Sequence, residues 1–209
     1  MKAHTKETQA TMTPDKSLLF LKEGNQRFQN NLKANRNLLE QVNDTSEGQF
    51  PFATILSCID SRVSAELVFD QGLGDIFSIR IAGNFVNEDI LGSMEFACKL
   101  AGTKLIVVLG HTSCGAIKGA CDHARLGNLT ALINKIEPAV AEVKEPRDEN
   151  QRNSGNLEFV DKVSAKNVQL TIGNIRKRSS VLAEMEKNGE IKIIGGMYDI
   201  ATGAVEFYE

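Results

Sequence analysis

The fold is decided by residues Phe52–Ser57 (FATILS) and the segment that follows them, Cys58–Arg62 (CIDSR). The first stretch is a short apolar run with β-branched residues, which predicts a buried strand. A second run of the same kind, Lys104–Gly110 (KLIVVLG), is followed by His111 and Cys114. Because the carboxyl ends of neighbouring parallel strands face one crevice, we expect the two polar segments to converge there.

Strands and helices alternate along the rest of the chain. This alternation predicts an α/β fold with a mostly parallel, doubly wound central sheet and an antiparallel C-terminal edge strand. The predicted elements are helix Ser64–Gln71, strand Ile76–Ile81, helix Glu88–Leu100, strand Leu105–Leu109, helices Asn128–Val143 and Leu157–Lys187, and strands Ile191–Tyr198 and Ala204–Tyr208.

The N-terminal part divides into a tail and the start of one domain. Residues 1–15 are polar and are interpreted as a tail, a tag or a trimmed precursor, and residues 16–209 as a single domain. Leu21, Phe28 and Leu32 form a helical stripe that suits packing on a partner subunit. Packing of the same stripe on its own subunit is equally compatible with the pattern.

The polar residues at the two strand ends have the chemistry of a zinc site. Two thiolates and an imidazole, from Cys58, His111 and Cys114, favour zinc over magnesium or calcium, which prefer oxygen ligands. The wide separation of the two pairs suits a catalytic ion better than a structural zinc knuckle. The fourth position would go to water or to Asp60.

Arg62 bears on that choice. The side chains of Asp60 and Arg62 project to the same side if the segment stays extended, so a bidentate ion pair is feasible. A paired Asp60 is restrained from binding zinc.

The motifs SCIDSR (57–62) and GHTSCGAI (110–117) resemble those of the β-class carbonic anhydrases. The similarity extends through Ala65–Asp70 and Asp75–Arg80 and covers most of the chain from Phe20 onward. It implies an enzyme with one Zn²⁺ per subunit that interconverts carbon dioxide and bicarbonate by attack of zinc-bound hydroxide. The metal ligands would be Cys58, His111 and Cys114.

The resemblance also implies roles for the residues around the metal. Asp60 and Arg62 would be a catalytic dyad that orients the hydroxide, with Asp60 as a fourth ligand in a closed state. Substrate-binding positions carried over from the family are Gln49, Phe77, Phe96 and Gly115. In the family the glutamine comes from the partner subunit, so we expect a homodimer or a dimer of dimers.

Two positions depart from family patterns. Plant-type relatives have a tyrosine where this chain has Phe96, which leaves the proton-transfer route unassigned. The bicarbonate-inhibited subclass has a tryptophan where this chain has Ile55. This favours the subclass whose zinc binds water at rest.

Two other functions remain open from the motifs. A carbonyl sulfide or carbon disulfide hydrolase could use the same three ligands, since a fold and a site do not fix the substrate. A non-catalytic zinc-binding interaction module is less favoured, because it has no need for a polar dyad beside the metal. Cys98 and Cys121 have no ligand partner at a suitable spacing and are interpreted as core residues.

The composition is that of an ordinary enzyme domain. The 209 residues are 42% hydrophobic, enough for a sizeable core, and the net charge is −3. The 24 basic residues form no stripe, so nucleic acid is not an expected partner. No stretch has the length of a membrane span, and four cysteines without a disulfide pattern suit the cytoplasm.

Overall fold

The computed structural model describes residues 2–208 and confirms the predicted α/β architecture. The α-helices are α1 Lys6–Ala10, α2 Pro14–Gln29, α3 Leu38–Asp44, α4 Ala65–Val68, α5 Glu88–Glu95, α6 Gly115–Cys121, α7 Gly127–Glu142, α8 Leu157–Arg178 and α9 Ser180–Lys187. The strands are β1 Ala53–Ser57, β2 Ile76–Arg80, β3 Leu105–His111, β4 Lys192–Tyr198 and β5 Val205–Tyr208. A π-helical turn spans Phe96–Leu100, and a 3₁₀ turn spans Glu149–Gln151.

The five strands form one sheet in the order β2-β1-β3-β4-β5. Strands β1 to β4 are parallel, and β5 pairs antiparallel with β4, as the sequence predicts. All residues of β1 and β3 are buried, in keeping with their near-continuous apolar sequences. Because β1 and β3 are adjacent and parallel, Cys58 and His111 lie close together at the carboxyl ends of these strands.

Helices cover both faces of the sheet. One face packs against α2 and α4, with Leu18, Leu21 and Val68 in the core. The other face packs against α5, α8 and α9. A third cluster, around α6, α7 and α8, surrounds the carboxyl ends of β1 and β3 and includes Cys58 and Cys114. The ligand segments are therefore supported by packed helices.

The predicted helix Leu157–Lys187 is two helices in the structure. Ser179 interrupts it in an extended conformation and caps α9, because its side chain accepts a hydrogen bond from the Leu182 N–H. The Ser179 hydroxyl also donates to Glu95 at 2.6 Å. A serine with these two partners favours a cap over a continuous helix.

The predicted helix Ser64–Gln71 is also shorter, as α4 ends at Val68. Asp70 adopts a φ of 44°, which stops the helix. Its carboxylate accepts hydrogen bonds from Arg27 and from the Ala34 N–H. This segment therefore joins α4 to the end of α2.

The N-terminal residues are in contact with the rest of the chain. The sequence predicts a polar tail over residues 1–15, of which the structure describes 2–15; there Ala3 and Met12 are buried and Gln9 donates to the carbonyls of Pro51 and Ala101. Within the predicted helical stripe, Leu21 is fully buried in this chain, whereas Leu32 lies beyond the end of α2 and is exposed. No helix within residues 2–208 is both long and apolar enough to cross a membrane.

Candidate metal centre

Three side chains from the two strand ends meet at one point. The ligand atoms of Cys58, His111 and Cys114 all lie within 4.8 Å of one another, and all three residues are buried. The two Sγ atoms are 3.9 Å apart. Two sulfurs bound tetrahedrally to one zinc ion would lie about 3.8 Å apart. The spacing of the thiols therefore fits a shared zinc ion.

The imidazole of His111 is held with one nitrogen directed at the thiols. Its Nδ1 lies 3.0 Å from the carbonyl oxygen of Thr112, so Nδ1 carries the proton and donates it there. Its Nε2 is buried and has no hydrogen-bond partner among the described residues. A buried lone pair without a donor costs free energy, and a metal ion at this point removes that cost.

The contact between the two thiols shifts their pKa values in opposite directions. The hydrogen bond from Cys114 lowers the pKa of Cys58 to about 4, against the opposing effect of burial, and the Gly83 N–H also contacts the Cys58 sulfur at 3.5 Å. The hydrogen bond to Cys58, together with burial, raises the pKa of Cys114. This asymmetry favours ionisation of Cys58 over Cys114, so a divalent cation that binds both sulfurs would displace the proton of Cys114.

Asp60 and Arg62 form the predicted bidentate pair. Arg62 Nε and Nη2 donate to Asp60 Oδ1 and Oδ2 at 2.9 and 2.7 Å. The segment is a turn and is not extended, because the Arg62 N–H donates to Asp60 Oδ1 and the Val63 N–H to the Asp60 carbonyl. These hydrogen bonds from Arg62 hold the pKa of Asp60 far below its usual range, although partial burial opposes them.

The dyad faces the solvent side of the ligand cluster. The Asp60 side chain is 15% exposed and that of Arg62 is 51% exposed, whereas His111 is fully buried. Asp60 Oδ2 lies 4.0 Å from His111 Nε2. Asp60 therefore lies beside the cluster but outside the three-residue set.

Arg80 holds the backbone that carries Cys58 and Asp60. From the end of β2, its Nε donates to the Cys58 carbonyl at 3.0 Å and its Nη2 to the Asp60 carbonyl at 2.6 Å. The sequence assigned no such role to Arg80. The register of β2 against β1, which places Arg80 beside Ser57, explains the contact.

The second ligand segment is held from α8, which sequence reasoning also missed. Asp161 accepts a hydrogen bond from the Ser113 N–H, and the Ser164 hydroxyl donates to the His111 carbonyl. Both residues lie about 50 positions from the ligands along the chain, and nothing in their local sequence marks them.

The expected substrate-binding residues separate into two groups. Gly115 follows Cys114 directly at the start of α6, and a Cβ atom there would meet nothing within 4 Å. Phe77 pairs with Thr54 in the sheet, four residues before Cys58, which corresponds to about 13 Å. Gln49 precedes the amino end of β1, whereas the cluster lies at the carboxyl end of this strand. Of these three residues, only Gly115 therefore lies beside the Cys58–His111–Cys114 cluster of its own chain.

Phe77 and Phe96 lie together in an open groove along β2. Their ring centroids are 6.3 Å apart, and Phe96 is 53% exposed at the start of the π-helical turn. Arg80 and Ser93 also line this groove. Within residues 2–208, β2 pairs only with β1, so its other edge is open.

The remaining cysteines are core residues, as predicted. Cys98 and Cys121 are buried, and burial raises the pKa of each to about 11. Cys98 contacts the Thr103 hydroxyl at 3.3 Å. Both thiols therefore stay neutral and lie outside the three-residue cluster.

Comparison with known proteins agrees with this geometry. The family model of the carbonic anhydrases matches residues 53–205. A carbonic anhydrase of Mycolicibacterium smegmatis is 35% identical over 192 residues, which cover 89% of this chain and 89% of the relative. Carbonic anhydrase 2 of Mycobacterium tuberculosis is 35% identical over 189 residues, covering 88% and 87%.

Solved structures show the same fold. The β-carbonic anhydrase CcaA superimposes with a TM-score of 0.72 at 26% identity, covering 92% of this chain and 95% of that chain. A tetrameric β-carbonic anhydrase of Sordaria macrospora has a TM-score of 0.69 at 23% identity, covering 78% and 82%. The sequence match, the fold and the Cys-His-Cys cluster agree, and the chain belongs to the β-class carbonic anhydrases.

Proposed function

We propose that this protein catalyses the reversible hydration of carbon dioxide to bicarbonate and a proton, at a zinc ion held by Cys58, His111 and Cys114. Carbonate dehydratase activity is that of the family to which the chain belongs. The observation that carries the proposal is the buried, unpartnered Nε2 of His111 beside two thiols. An ionised, solvent-facing Asp60 lies 4.0 Å from that nitrogen.

Zinc at this site would supply a Lewis acid and a water that ionises near neutral pH. Asp60 stays ionised, because Arg62 lowers its pKa, so its Oδ2 can only accept a hydrogen bond. An acceptor there fixes the proton of the attacking oxygen and leaves a lone pair directed at carbon dioxide. The dyad therefore orients the nucleophile without exchanging a proton with it.

The neighbouring residues keep this geometry fixed. Two hydrogen bonds from Arg62 leave Asp60 little freedom to rotate onto the metal, which favours an open fourth position. Arg80 restrains the backbone on both sides of Ile59. The open space at Gly115 leaves room for a small substrate beside Cys114.

A partner subunit would complete the substrate pocket. The cluster is not reached by three residues of the same chain, Gln49, Phe77 and Phe96. Strand β2, which carries Phe77, has one unpaired edge among the described residues. The exposed Phe96 ring suits burial against a second copy. A tetrameric relative of the same fold supports assembly as a homodimer or a dimer of dimers. Each subunit would then contribute apolar residues to the pocket of its neighbour.

Stopped-flow measurement of carbon dioxide hydration tests the activity. The zinc-loaded wild type should be fast at mildly alkaline pH, and Asp60→Asn should be slower by about a hundredfold while it still binds zinc. Asp122→Asn is the matched control, because Asp122 also accepts a backbone N–H, from Ser154, but lies outside the cluster. The proposal would be contradicted if the zinc-loaded wild type hydrolysed carbonyl sulfide but did not hydrate carbon dioxide.

Sedimentation and hydration assays together test the shared pocket. Phe96→Asp should give a monomer that retains zinc and loses about tenfold or more in rate, because the neighbouring pocket is incomplete. Leu126→Asp is the control, since Leu126 is exposed at the start of α7, away from β2. A fully active monomer would show that each site works alone.

A further inference from the structure

The segment between His111 and Cys114 contains an unfavourable backbone conformation. Ser113 has a φ of 55°, in the left-handed region that L-residues other than asparagine and aspartate rarely adopt. Cys114, the next residue, carries a metal ligand. The direction of its side chain depends on this turn, so something must hold the turn in place.

Helix α8 supplies two hydrogen bonds to this turn. Asp161 Oδ1 accepts from the Ser113 N–H at 2.8 Å, and Ser164 Oγ donates to the His111 carbonyl at 3.0 Å. Residues three apart lie on the same face of a helix. One face of α8 therefore forms hydrogen bonds with two backbone groups of the turn, the His111 carbonyl and the Ser113 N–H.

The intervening residue, Thr112, is held by the end of β4. Its N–H donates to the Tyr198 carbonyl at 3.0 Å, and its Oγ1 accepts from the Ile200 N–H at 3.1 Å. These are contacts to backbone groups. In contrast, the N–H of the strained Ser113 depends on the side chain of Asp161.

We infer that Asp161 is a positioning residue that sets the direction of the Cys114 ligand, an inference that rests on the proposed metal site. Its carboxylate satisfies the Ser113 N–H and thereby holds the left-handed conformation. Without that acceptor the turn can relax toward negative φ, which rotates Cys114 away from Cys58. The metal affinity should then fall, although Asp161 touches no ligand atom.

Metal binding and cobalt spectroscopy test the inference on the full chain. We would compare Asp161→Ala, Asp161→Asn and wild type, with Glu158→Ala as control. Glu158 is an exposed carboxylate on α8 that pairs with Lys162. The measurements are zinc affinity by chelator competition, the visible spectrum of the cobalt(II) form, and thermal unfolding of the metal-free protein.

Asp161→Ala should bind zinc about tenfold more weakly and shift the cobalt d–d bands, because the ligand geometry changes. Asp161→Asn retains an acceptor oxygen and should restore both properties, whether or not the alanine variant is fully stable. The metal-free unfolding temperature of Asp161→Ala should lie below that of Glu158→Ala, because the Ser113 N–H loses its acceptor.

Wild-type affinity and spectrum in Asp161→Ala would overturn the inference alone, as would an asparagine variant that binds as weakly as the alanine variant. A wild type that binds neither zinc nor cobalt would overturn the proposed metal site itself, and this inference with it.

Discussion

The two segments that carry the proposed metal ligands are held in different ways. In Cys58–Arg62 the charged side chains of Asp60 and Arg62 pair with each other, and Arg80 donates to the backbone carbonyls of Cys58 and Asp60. The segment from His111 to Cys114 is fixed by α8 and by the backbone at the end of β4. The first segment presents charge to the solvent side, and the second positions two of the three proposed ligands.

Because of this difference, we expect substitutions in the two segments to affect the reaction and metal binding differently. Loss of the Asp60 or Arg62 side chain should impair the reaction while the metal stays bound. Loss of the His111 or Cys114 side chain should release the metal.

Cys114→Ser should have the largest effect. It removes a soft, buried ligand, so we expect zinc content well below one ion per chain and a hydration rate at least about a thousandfold lower. Cys121→Ser is the control, because Cys121 is also buried but lies outside the cluster. Metal analysis and stopped flow measure both variants, and full zinc retention in Cys114→Ser would remove it from the ligand set.

Arg62→Ala should be next in size. It raises the pKa of Asp60 toward the ordinary value of about 4, so Asp60 remains ionised at neutral pH. The expected loss of about 10- to 100-fold in kcat therefore comes from lost orientation, and the pH profile near neutrality should keep its shape.

Arg125→Ala is the matched control for Arg62→Ala, since Arg125 pairs with Glu137 on an exposed surface. A pH profile displaced by more than one unit in Arg62→Ala would show that charge is the main contribution of the pair.

The pH dependence of zinc binding should reveal the proton on Cys114. Because the pKa of Cys58 is about 4 and that of Cys114 is raised, zinc must displace one thiol proton near neutral pH. Zinc affinity should rise about tenfold per pH unit between pH 7 and 8.5, and fall as pH is lowered. Chelator competition measures the slope, and a slope of two would mean that both thiols start protonated.

Gly83→Ala should have a smaller effect, on stability. Gly83 has a φ of 77°, and an added Cβ would lie 2.4 Å from Ile136 Cδ1. We expect a loss of about 2 kcal/mol in the free energy of unfolding, measured by denaturant titration.

Gly173→Ala provides the control for Gly83→Ala. Gly173 lies within α8 with nothing near its Cβ position, so alanine should stabilise the protein by up to about 1 kcal/mol. Equal effects at both positions would show that the close packing at Gly83 is unimportant.

The sequence predicted the elements that depend on short-range patterns. The apolar runs at β1 and β3 predicted two buried parallel strands whose carboxyl ends lie close together. The proposed ligand set followed from the chemistry of the residues at those ends. Ser179 shows where such patterns fail, because a cap within a long amphipathic stretch is decided by its partner Glu95, 84 residues away.

The same limit applies around the site. The roles of Arg80 and Asp161 depend on strand register and on how α8 packs, and neither is encoded in the neighbouring residues. The placement of Phe77 and Gln49 away from the cluster follows from the lengths of β1 and β2, which the motif spacing alone does not convey.

One zinc ion per chain should account for the carbonic anhydrase activity of this protein. The most direct test adds zinc stepwise to the metal-free protein and measures carbon dioxide hydration by stopped flow at mildly alkaline pH. We expect the rate to rise in proportion to zinc and to level off at one ion per chain. Stoichiometric zinc binding with no rate above that of the buffer would contradict the claim.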